Sequence, residues 1–311
     1  DSLGLVDNDF DIPLGTCGVP EFGTGFVRQM VLDAKPNAFA DLVRISGLSH
    51  GTNVWLNNAQ DLILNKVVSI KEVICTRDDI MLGLISMGLD SEESFKIMEH
   101  VRKGKGLTDE EEAYMRSFNV PEWYIDSCQK ISYMFPKAHA VAYVMMAFRI
   151  AYYKVYHPLA YYATYFSIRA KEFNLRDMTS GKEHVKKTIA EIKALGNNAS
   201  NKESNSLTSL ELALEMYCRG FEFVKVDIYR SHYKNFLIED GKLLPPLMAI
   251  DGLGEKVAVQ IYEEARIKPF MSKEDLQNRA HVNKSNLEKL DSFGCLAGLP
   301  DSDQMSFFSF G

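Results

Sequence analysis

The chain carries the run Met134-Phe-Pro-Lys-Ala-His-Ala-Val-Ala-Tyr-Val-Met-Met-Ala-Phe-Arg-Ile-Ala-Tyr-Tyr-Lys-Val-Tyr-His157, which predicts a long helix from Ala138 to Tyr156. Pro136 stands just before that helix, where a missing amide hydrogen costs a helix least. Lys137 and His139 flank the first turn, and the dipole and free amides of a helix N-terminus favour an anion. The sequence therefore predicts a helix whose N-terminus can receive a phosphate group.

Helical patterns continue on both sides of this run. The segment Thr108-Asp-Glu-Glu111 has the spacing of a capping box, and Lys182 to Leu195 is a charged helical stretch. The polar segment from Asn197 to Ser206 predicts a loop or linker, and a helix from Leu207 to Cys218 is expected after it. Most of the chain is thus predicted to be helical.

Strand signals are short and lie together. Phe221 to Val226 and Asn235 to Glu239 are rich in β-forming residues. Asp240-Gly241 separates the second of these from Lys242-Leu-Leu244, as expected for a two-residue hairpin turn. The sequence predicts a small β element inside a mainly α protein.

Charge is distributed unevenly along the chain. The net charge is −7, but ten Lys or Arg against seven Asp or Glu lie between Lys96 and Arg169. Attraction for a polyanion depends on where charge sits, so this region is the better candidate for an anionic ligand. The longest apolar stretch, Ala138 to Ala151, is interrupted by Arg149 and is too short to span a bilayer, so no membrane partner is expected.

The five cysteines are far apart and none forms a Cys-x-x-Cys pair, which predicts reduced thiols in a cytoplasmic protein and no zinc site. The chain begins with Asp1 and not with Met, so we expect it to be a piece of something longer.

Three further motifs precede the long helix. They are Val19-Pro-Glu-Phe-Gly-Thr24 with Phe26-Val-Arg-Gln-Met30, then Leu42-Val-Arg-Ile-Ser-Gly-Leu-Ser-His-Gly-Thr52, then Arg77-Asp-Asp-Ile-Met81 through Phe95-Lys-Ile-Met-Glu-His-Val-Arg-Lys-Gly-Lys-Gly106. In this order the four motifs resemble the fingers region of the C-family bacterial replicative DNA polymerases, and in particular the PolC type. The resemblance extends from about Cys17 to Phe308, nearly the whole chain.

The resemblance implies a mainly α fold in which helical fingers are followed by a small α/β connection and a tandem helix-hairpin-helix module. The implied segments are an irregular connection from a missing palm (1–20), a helical fingers domain (21–195), a linker with short β segments (196–245), a tandem helix-hairpin-helix module that binds duplex DNA (246–299) and a flexible clamp-binding tail (300–311).

A candidate triphosphate clamp has two parts. Val101-Arg102-Lys103-Gly104-Lys105-Gly106 ends a helix with three cations, which alone is an ordinary helix stop. Together with a second cationic point at the start of the long helix, these side chains would hold a triphosphate and stabilise the charge of the leaving pyrophosphate. The resemblance implies nucleotide contacts for a set of five residues: Arg102, Lys103, Lys105, Lys137 and His139.

Two more candidate contacts flank that clamp. Ser49-His50-Gly51-Thr52 is either a turn with an N-cap or, as the resemblance implies, a loop near the nucleotide or primer terminus, where Ser49 and His50 would contact phosphate or sugar. Aromatic residues crowd the long helix, and most are expected to pack in a core. Tyr143, one turn beyond His139, is the candidate for stacking on a nucleotide.

A helix-hairpin-helix signature lies near the C-terminus. Gly252, Leu253 and Gly254 precede a helix that contains Lys256, and such a turn aims backbone amides at a DNA phosphate without reading sequence. The second half of the module, from Ser272 to Gly294, lacks a clean Gly-x-Gly and is predicted to be a degenerate partner. Seven Lys or Arg against eight Asp or Glu from Asp251 to Asp291 predict weak, salt-sensitive duplex contact.

The last motif, Gln304-Met-Ser-Phe-Phe308, resembles the pentapeptide by which bacterial polymerases hold the sliding clamp, although Met305 and Phe307 stand where that peptide has Leu. Residues Gln304, Met305, Phe307 and Phe308 are therefore expected to bind the clamp. Loss of Phe307 and Phe308 is expected to abolish retention of the chain by the clamp.

Two-metal DNA synthesis requires carboxylates that hold Mg²⁺, and the resemblance places those aspartates upstream of this chain. We interpret Asp7, Asp9 and Asp11 as part of a variable connection, so no catalytic residue or metal ligand is expected here and the chain alone is predicted to be inactive. Expected partners are primer-template DNA, dNTP, the sliding clamp and other replisome subunits in the cytoplasm, at the nucleoid. Two alternatives stay open: a non-catalytic helix-hairpin-helix DNA-binding or repair-accessory protein, and a self-contained enzyme that uses Asp7, Asp9 and Asp11.

Overall fold

The computed structural model describes residues 3–5, 14–169 and 173–302 of the chain. The chain folds into two compact units. We call Val19–Ala151 the inserted unit, because the segments on either side of it, Asp1–Gly18 and Tyr152–Gly311, form one compact body together. That second body is called the terminal unit. The segments predicted from the sequence are a division by function and stay a prediction.

The inserted unit is helical and has one continuous apolar core. Its helices begin at polar caps: at the predicted capping box, Thr108 N donates to Glu111 Oε2 over 2.9 Å and Glu111 N donates to Thr108 Oγ1 over 3.2 Å. Fully buried side chains such as Met30, Ile45 and Leu84 fill the space between the helices. The helices are α1 Gly25–Ala34, α2 Phe39–His50, α3 Gln60–Leu64, α4 Arg77–Ser86, α5 Ser91–Arg102, α6 Asp109–Ser117, α7 Glu122–Lys130 and α8 Lys137–Tyr156, whose residues from Tyr152 onward belong to the terminal unit.

Helix α8 confirms the predicted long helix. Its twenty residues bury Ala140, Val144 and Ala147 at spacings of four and three, so a narrow face of small side chains packs on the core. Tyr143 is 48% exposed and Phe148 is 57% exposed on the rest of the helix surface. Core packing was expected for most aromatic residues of the long helix and of the segment after it. That expectation is wrong on α8, where Phe148 and the three tyrosines that follow it are exposed, and it is confirmed after Pro158, where Tyr161, Tyr162 and Phe166 are buried.

The terminal unit contains the remaining helices and a two-stranded sheet. Strands β1 Leu237–Glu239 and β2 Lys242–Leu244 pair antiparallel, with Leu237 opposite Leu244. The predicted turn is confirmed, because Asp240 and Gly241 have φ of 47° and 77°, the left-handed values that a two-residue hairpin turn needs. The helices are α9 Pro158–Ile168, α10 Leu175–Thr179, α11 Lys182–Leu195, α12 Asn201–Cys218, α13 Glu255–Ile267, α14 Lys273–Ala280 and α15 Lys284–Ser292.

Two sequence-based predictions fail in the terminal unit. The polar segment from Asn197 to Ser206 is not a loop throughout, because α12 already begins at Asn201. The cause is a capping box in which Ser200 N donates to Glu203 Oε2 over 2.8 Å and Glu203 N donates to Ser200 Oγ over 3.2 Å. The predicted strand from Phe221 to Val226 is not formed. Within it, Phe223 makes an isolated parallel β-bridge to Leu243.

A buried ion pair joins distant parts of the terminal unit. Lys154 is 1% exposed, and its Nζ donates to Gly15 O and Cys17 O over 2.7 Å and to Glu215 Oε2 over 2.8 Å. The Tyr162 hydroxyl donates to Glu215 Oε1 over 2.7 Å, so both carboxylate oxygens have a partner. Burial lowers the pKa of Lys154, and the charge of Glu215 opposes that shift. This pair fixes the backbone of residues 15–17 against α8 and α12.

Within the described ranges, no helix combines the length and the apolar character that crossing a membrane requires.

Candidate functional site

Four aromatic rings meet in the inserted unit where α2 ends and α8 begins. The His50 and Phe135 rings stack with centroids 4.7 Å apart and planes 21° apart. The Tyr143 ring is nearly parallel to His50, at 6.2 Å and 9°, and lies 6.1 Å from Phe135. The His139 ring meets Phe135 edge-on at 5.9 Å. We call these four residues the ring cluster; it brings together three residues that the sequence predicted and one, Phe135, that it did not.

Local structure explains why these rings meet. Helix α2 ends at His50, and Thr52 then pairs antiparallel with Tyr133, with Thr52 N donating to Tyr133 O over 3.0 Å. That bridge brings the end of α2 beside the segment that leads into α8. His139 and Tyr143 are four residues apart on α8 and so share one helix face.

His50 uses both ring nitrogens for contacts with protein atoms. Its Nδ1 lies 2.8 Å from Ser46 O and 3.1 Å from the Ser49 hydroxyl. Its Nε2 lies 3.3 Å from Glu21 Oε2. With both nitrogens engaged, what His50 offers to a ligand is a ring face, and the His50 side chain is 37% exposed.

The N-terminus of α8 already has a carboxylate. Lys137 N donates to Asp78 Oδ2 over 2.8 Å, and Lys137 Nζ donates to Asp79 Oδ1 over 3.2 Å. The amide and the ammonium group that the sequence offered to a phosphate are therefore paired with the first turn of α4. A phosphate would compete with these two carboxylates for the same donors.

Arg102 and Lys103 form the same kind of pair at the C-terminus of α5. Arg102 donates through Nε and Nη2 to the carboxylate of Glu99, the Nη2 bond being 2.9 Å long, and Lys103 Nζ lies 2.8 Å from Glu99 Oε2. Hydrogen bonds from these two cations hold the pKa of Glu99 well below its usual range, at about 2. Lys105 is exposed, and no ion pair is found for it among the described residues.

The loop that carries these cations packs close to the ring cluster. Gly104 has φ of 70°, and a Cβ built on it would lie 2.6 Å from Ser132 O, so the two backbones touch. Ser132 is three residues before Phe135, a separation that an extended chain spans in about 10 Å. Residues 102–106, which we call the cation loop, thus contact the segment that leads into the ring cluster within the inserted unit.

The helix-hairpin-helix signature forms a turn with an open face. Gly252 has φ of 73°, and its carbonyl accepts from Lys289 Nζ over 3.1 Å. Leu253 is buried, and Gly254 is the N-cap of α13, with no side-chain cap and no atom within 4 Å of a built Cβ. The first amides of α13 consequently lack an intrahelical partner, and Lys256 lies in the same turn. Backbone amides and a cation at one helix start suit a phosphate.

The degenerate second half has a turn of the same geometry. His281 has φ of 51°, Val282 is 3% exposed, and Asn283 caps α15 by accepting from Asn286 N over 2.8 Å. These three positions repeat the left-handed, buried and N-cap order of Gly252, Leu253 and Gly254. The sequence hid this turn, because His and Asn adopt left-handed or capping conformations without the glycine signature.

Other predicted site residues lie outside the described ranges. They are the acidic residues Asp7, Asp9 and Asp11 of the alternative interpretation, and the residues expected to bind the clamp, Gln304, Met305, Phe307 and Phe308. Among the residues that the structure describes, no group of three or more His, Cys, Asp or Glu is placed to hold a metal ion.

Sequence reasoning missed the carboxylates that face the cations. Glu99 stands three and four residues before Arg102 and Lys103, which is the spacing of ion pairs on one helix face and is a signal that the sequence does contain. Glu21, Asp78 and Asp79 reach the site through the fold, so sequence spacing gives no signal for them.

Both units are similar to segments of known proteins. Residues 14–119 match the family model described as the bacterial DNA polymerase III alpha subunit finger domain, and residues 220–305 match a helix-hairpin-helix motif. The chain is 57% identical to a DNA polymerase III PolC-type of Caldanaerobacter subterraneus subsp. tengcongensis, over 99% of this chain and 22% of the relative. It is 56% identical to that of Listeria monocytogenes and 55% identical to that of Bacillus subtilis, each over 99% of this chain and 21% of the relative.

The chain spans about a fifth of the length of the curated relatives it matches. Both matched segments occur in the order that the sequence resemblance implied, and the mainly helical fold fits them. The resemblance is confirmed: over 99% of its length the chain is similar to one segment of PolC-type DNA polymerase III proteins, and it contains the finger match and the helix-hairpin-helix match.

Proposed function

We propose that the chain is the part of a DNA-directed DNA polymerase that binds the incoming dNTP and the duplex, while catalytic aspartates and Mg²⁺ are supplied by another part of the polymerase. The observation that carries the proposal is the ring cluster beside the cation loop. The cation loop and His50 lie within residues 14–119, the segment similar to polymerase fingers, and the other three rings follow that segment. The name of the relatives, a DNA polymerase, supports it over a repair-accessory protein.

The two groups suit different parts of a nucleotide. Arg102, Lys103 and Lys137 carry charge for the phosphates, and a triphosphate has enough negative charge to draw them from Glu99 and Asp79. Lys105 adds a cation. Because these cations are already ordered by their carboxylates, less conformational entropy is lost when the ligand binds.

The ring cluster suits the sugar or base. His50 and Tyr143 present nearly parallel, partly exposed faces, and such faces stack on nucleobases without reading sequence. Ser49 is tied to His50 and to Ser46 O, so we assign it to ordering the loop. His139 and Tyr143 keep the nucleotide-facing role that the sequence suggested.

Equilibrium binding of dNTP to the 311-residue chain tests the proposal through two opposite changes. Lys137→Met should weaken binding about tenfold, since a hydrogen bond to a charged group contributes about 1.5–3 kcal/mol. Glu99→Gln should strengthen binding up to about fivefold, because it releases Arg102 and Lys103 from a pair of the exposed kind.

The matched control is Glu122→Gln. It removes one of the two carboxylates that pair with Arg116, at 2.9 Å, and leaves Glu112 at 3.0 Å, without altering the cation loop. Equal dNTP affinity for Lys137→Met, Glu99→Gln and wild type would contradict the nucleotide assignment.

We also propose that the turn before α13 binds a DNA phosphate. Lys256→Gln should weaken duplex binding for every sequence alike and lower the salt slope of log K by about 1. Lys268→Gln, an exposed cation beyond the other end of α13, serves as control. An unchanged salt slope for Lys256→Gln would show that this lysine does not contact a DNA phosphate.

The remaining partners are proposed on the same basis. The tail residues Gln304, Met305, Phe307 and Phe308 are proposed to bind the sliding clamp, which would keep the polymerase on DNA with the other replisome subunits in the cytoplasm. Mg²⁺ is proposed to act with the intact polymerase through ligands outside this chain.

A further inference from the structure

Glu21 has a backbone conformation that its residue type does not favour. Its φ is 67°, in the left-handed region where a Cβ and the following carbonyl crowd each other. A non-glycine residue held there costs about 1–3 kcal/mol, and such outliers gather at functional sites. Glu21 lies before α1, yet its side chain reaches the end of α2.

Glu21 contacts the last turns of α2. Its carboxylate is 3.3 Å from Nε2 of His50, a member of the ring cluster, and accepts from Ser46 Oγ over 3.4 Å. The Glu21 side chain is 15% exposed, and no other ion pair is found for it in the described residues. A residue far away along the chain thus supplies the second partner of the His50 ring.

Hydrogen-bond chemistry limits what His50 can do. Ser46 O, at 2.8 Å, can only accept, so Nδ1 carries the proton of that bond. Nε2 then faces a carboxylate, which also only accepts. Both ring nitrogens therefore face acceptor oxygens, a carbonyl at 2.8 Å and a carboxylate at 3.3 Å.

We propose that Glu21 is a positioning residue that acts through His50. With its carboxylate 3.3 Å from Nε2, Glu21 holds the imidazole plane 9° from that of Tyr143 and 21° from that of Phe135, so that His50 offers a ring face to the bound nucleotide. The identity of the ligand rests on the proposed function; the hydrogen bonds of His50 do not. This replaces the expectation from sequence that the imidazole nitrogens of His50 contact phosphate.

Two variants separate positioning from backbone strain. Glu21→Gly removes the carboxylate and also relieves the positive φ, so a merely structural role for Glu21 predicts an unaffected His50 ring. Glu21→Gln keeps an oxygen that can accept from Nε2 and serves as the conservative rescue.

Long-range proton–nitrogen correlation spectra of the His50 side chain provide the readout in the full 311-residue chain. Wild type and Glu21→Gln should give the same His50 side-chain spectrum and the same ring-current shifts at Tyr143. In Glu21→Gly, the His50 ring resonances and the Tyr143 ring-current shifts should both change. A His50 spectrum that Glu21→Gly leaves unaltered, or one that Glu21→Gln changes as much as Glu21→Gly does, would overturn the proposal.

Binding of dNTP is measured on the same three proteins. Glu21→Gly should bind about three- to tenfold more weakly, the range of an aromatic stacking contribution of about 0.5–1.5 kcal/mol, and Glu21→Gln should bind like wild type. Unchanged affinity in Glu21→Gly despite a changed ring spectrum would refute the link between Glu21 and the ligand. Absence of dNTP binding in wild type, with the ring spectra as expected, would instead count against the proposed function.

Discussion

Replacing Lys154 by Met should destabilise the terminal unit by about 3–5 kcal/mol, the cost of leaving a buried charge without its partner. Glu215 is 0% exposed, and in the variant its carboxylate keeps only the Tyr162 hydroxyl as a described side-chain donor. Gly15 O loses its donor as well, and Cys17 O keeps only the Tyr161 hydroxyl at 3.5 Å, so the segment before Val19 should loosen together with α12.

Urea unfolding followed by circular dichroism measures the loss of stability, and hydrogen exchange at residues 14–18 and 201–218 locates it. Lys242→Met is the matched control, because it breaks an exposed pair with Glu222 in the same unit and should cost less than about 1 kcal/mol. The double variant Lys154→Met with Glu215→Leu should recover part of the loss. If Lys154→Met and Lys242→Met unfold at the same urea concentration, the buried pair does not stabilise the unit.

Gly104→Ala should give the second large effect, in stability and in nucleotide binding together. The new Cβ would lie 2.6 Å from Ser132 O, a backbone atom that cannot turn aside, and φ of 70° is strained for alanine. Strain of about 1–3 kcal/mol is expected, and relief of that strain would move the cation loop away from the segment that leads to Phe135. We therefore expect weaker dNTP binding even though no charged side chain is changed.

Gly88→Ala serves as the control that separates the effect of the Ser132 contact from the effect of a positive φ. Gly88 has φ of 100° in the same unit, but its built Cβ meets only Phe118 side-chain atoms at 3.6 Å or more. The Gly88→Ala variant should be less stable because alanine is strained at a positive φ, and its dNTP affinity should equal that of wild type. Equal effects of Gly88→Ala and Gly104→Ala on affinity would show that the Ser132 contact does not position the cation loop.

Sequence patterns predicted the elements well where a local signal dominates. The bounds of α11, Lys182–Leu195, and the hairpin turn at Asp240 follow from helical periodicity and from turn chemistry. The start of α12 was missed although Ser200 and Glu203 have capping-box spacing, because the polar composition around them favoured a loop. The capping box and the polar composition predict different structures for residues 201–206, and the buried residues from Ser209 to Cys218 favour the helix.

The candidate site was predictable only in part. Helical spacing and resemblance pointed to Lys137, His139 and Tyr143, which α8 does carry on one end. The charge balance was not predictable, since Asp79 reaches Lys137 from 58 residues away and Glu21 reaches His50 through a strained turn. Such contacts depend on packing between elements, so they cannot be predicted from residue spacing along the chain.

Photo-crosslinking with an azido-dNTP, followed by peptide mapping, tests most directly whether the ring cluster and the cation loop form one nucleotide site. We predict label on two peptides of the inserted unit, one containing Phe135 to Tyr143 and one containing Arg102 to Gly106, with both labels reduced by unmodified dNTP. If the label that unmodified dNTP reduces is confined to the terminal unit, or is found on only one of the two peptides, a shared nucleotide site is contradicted.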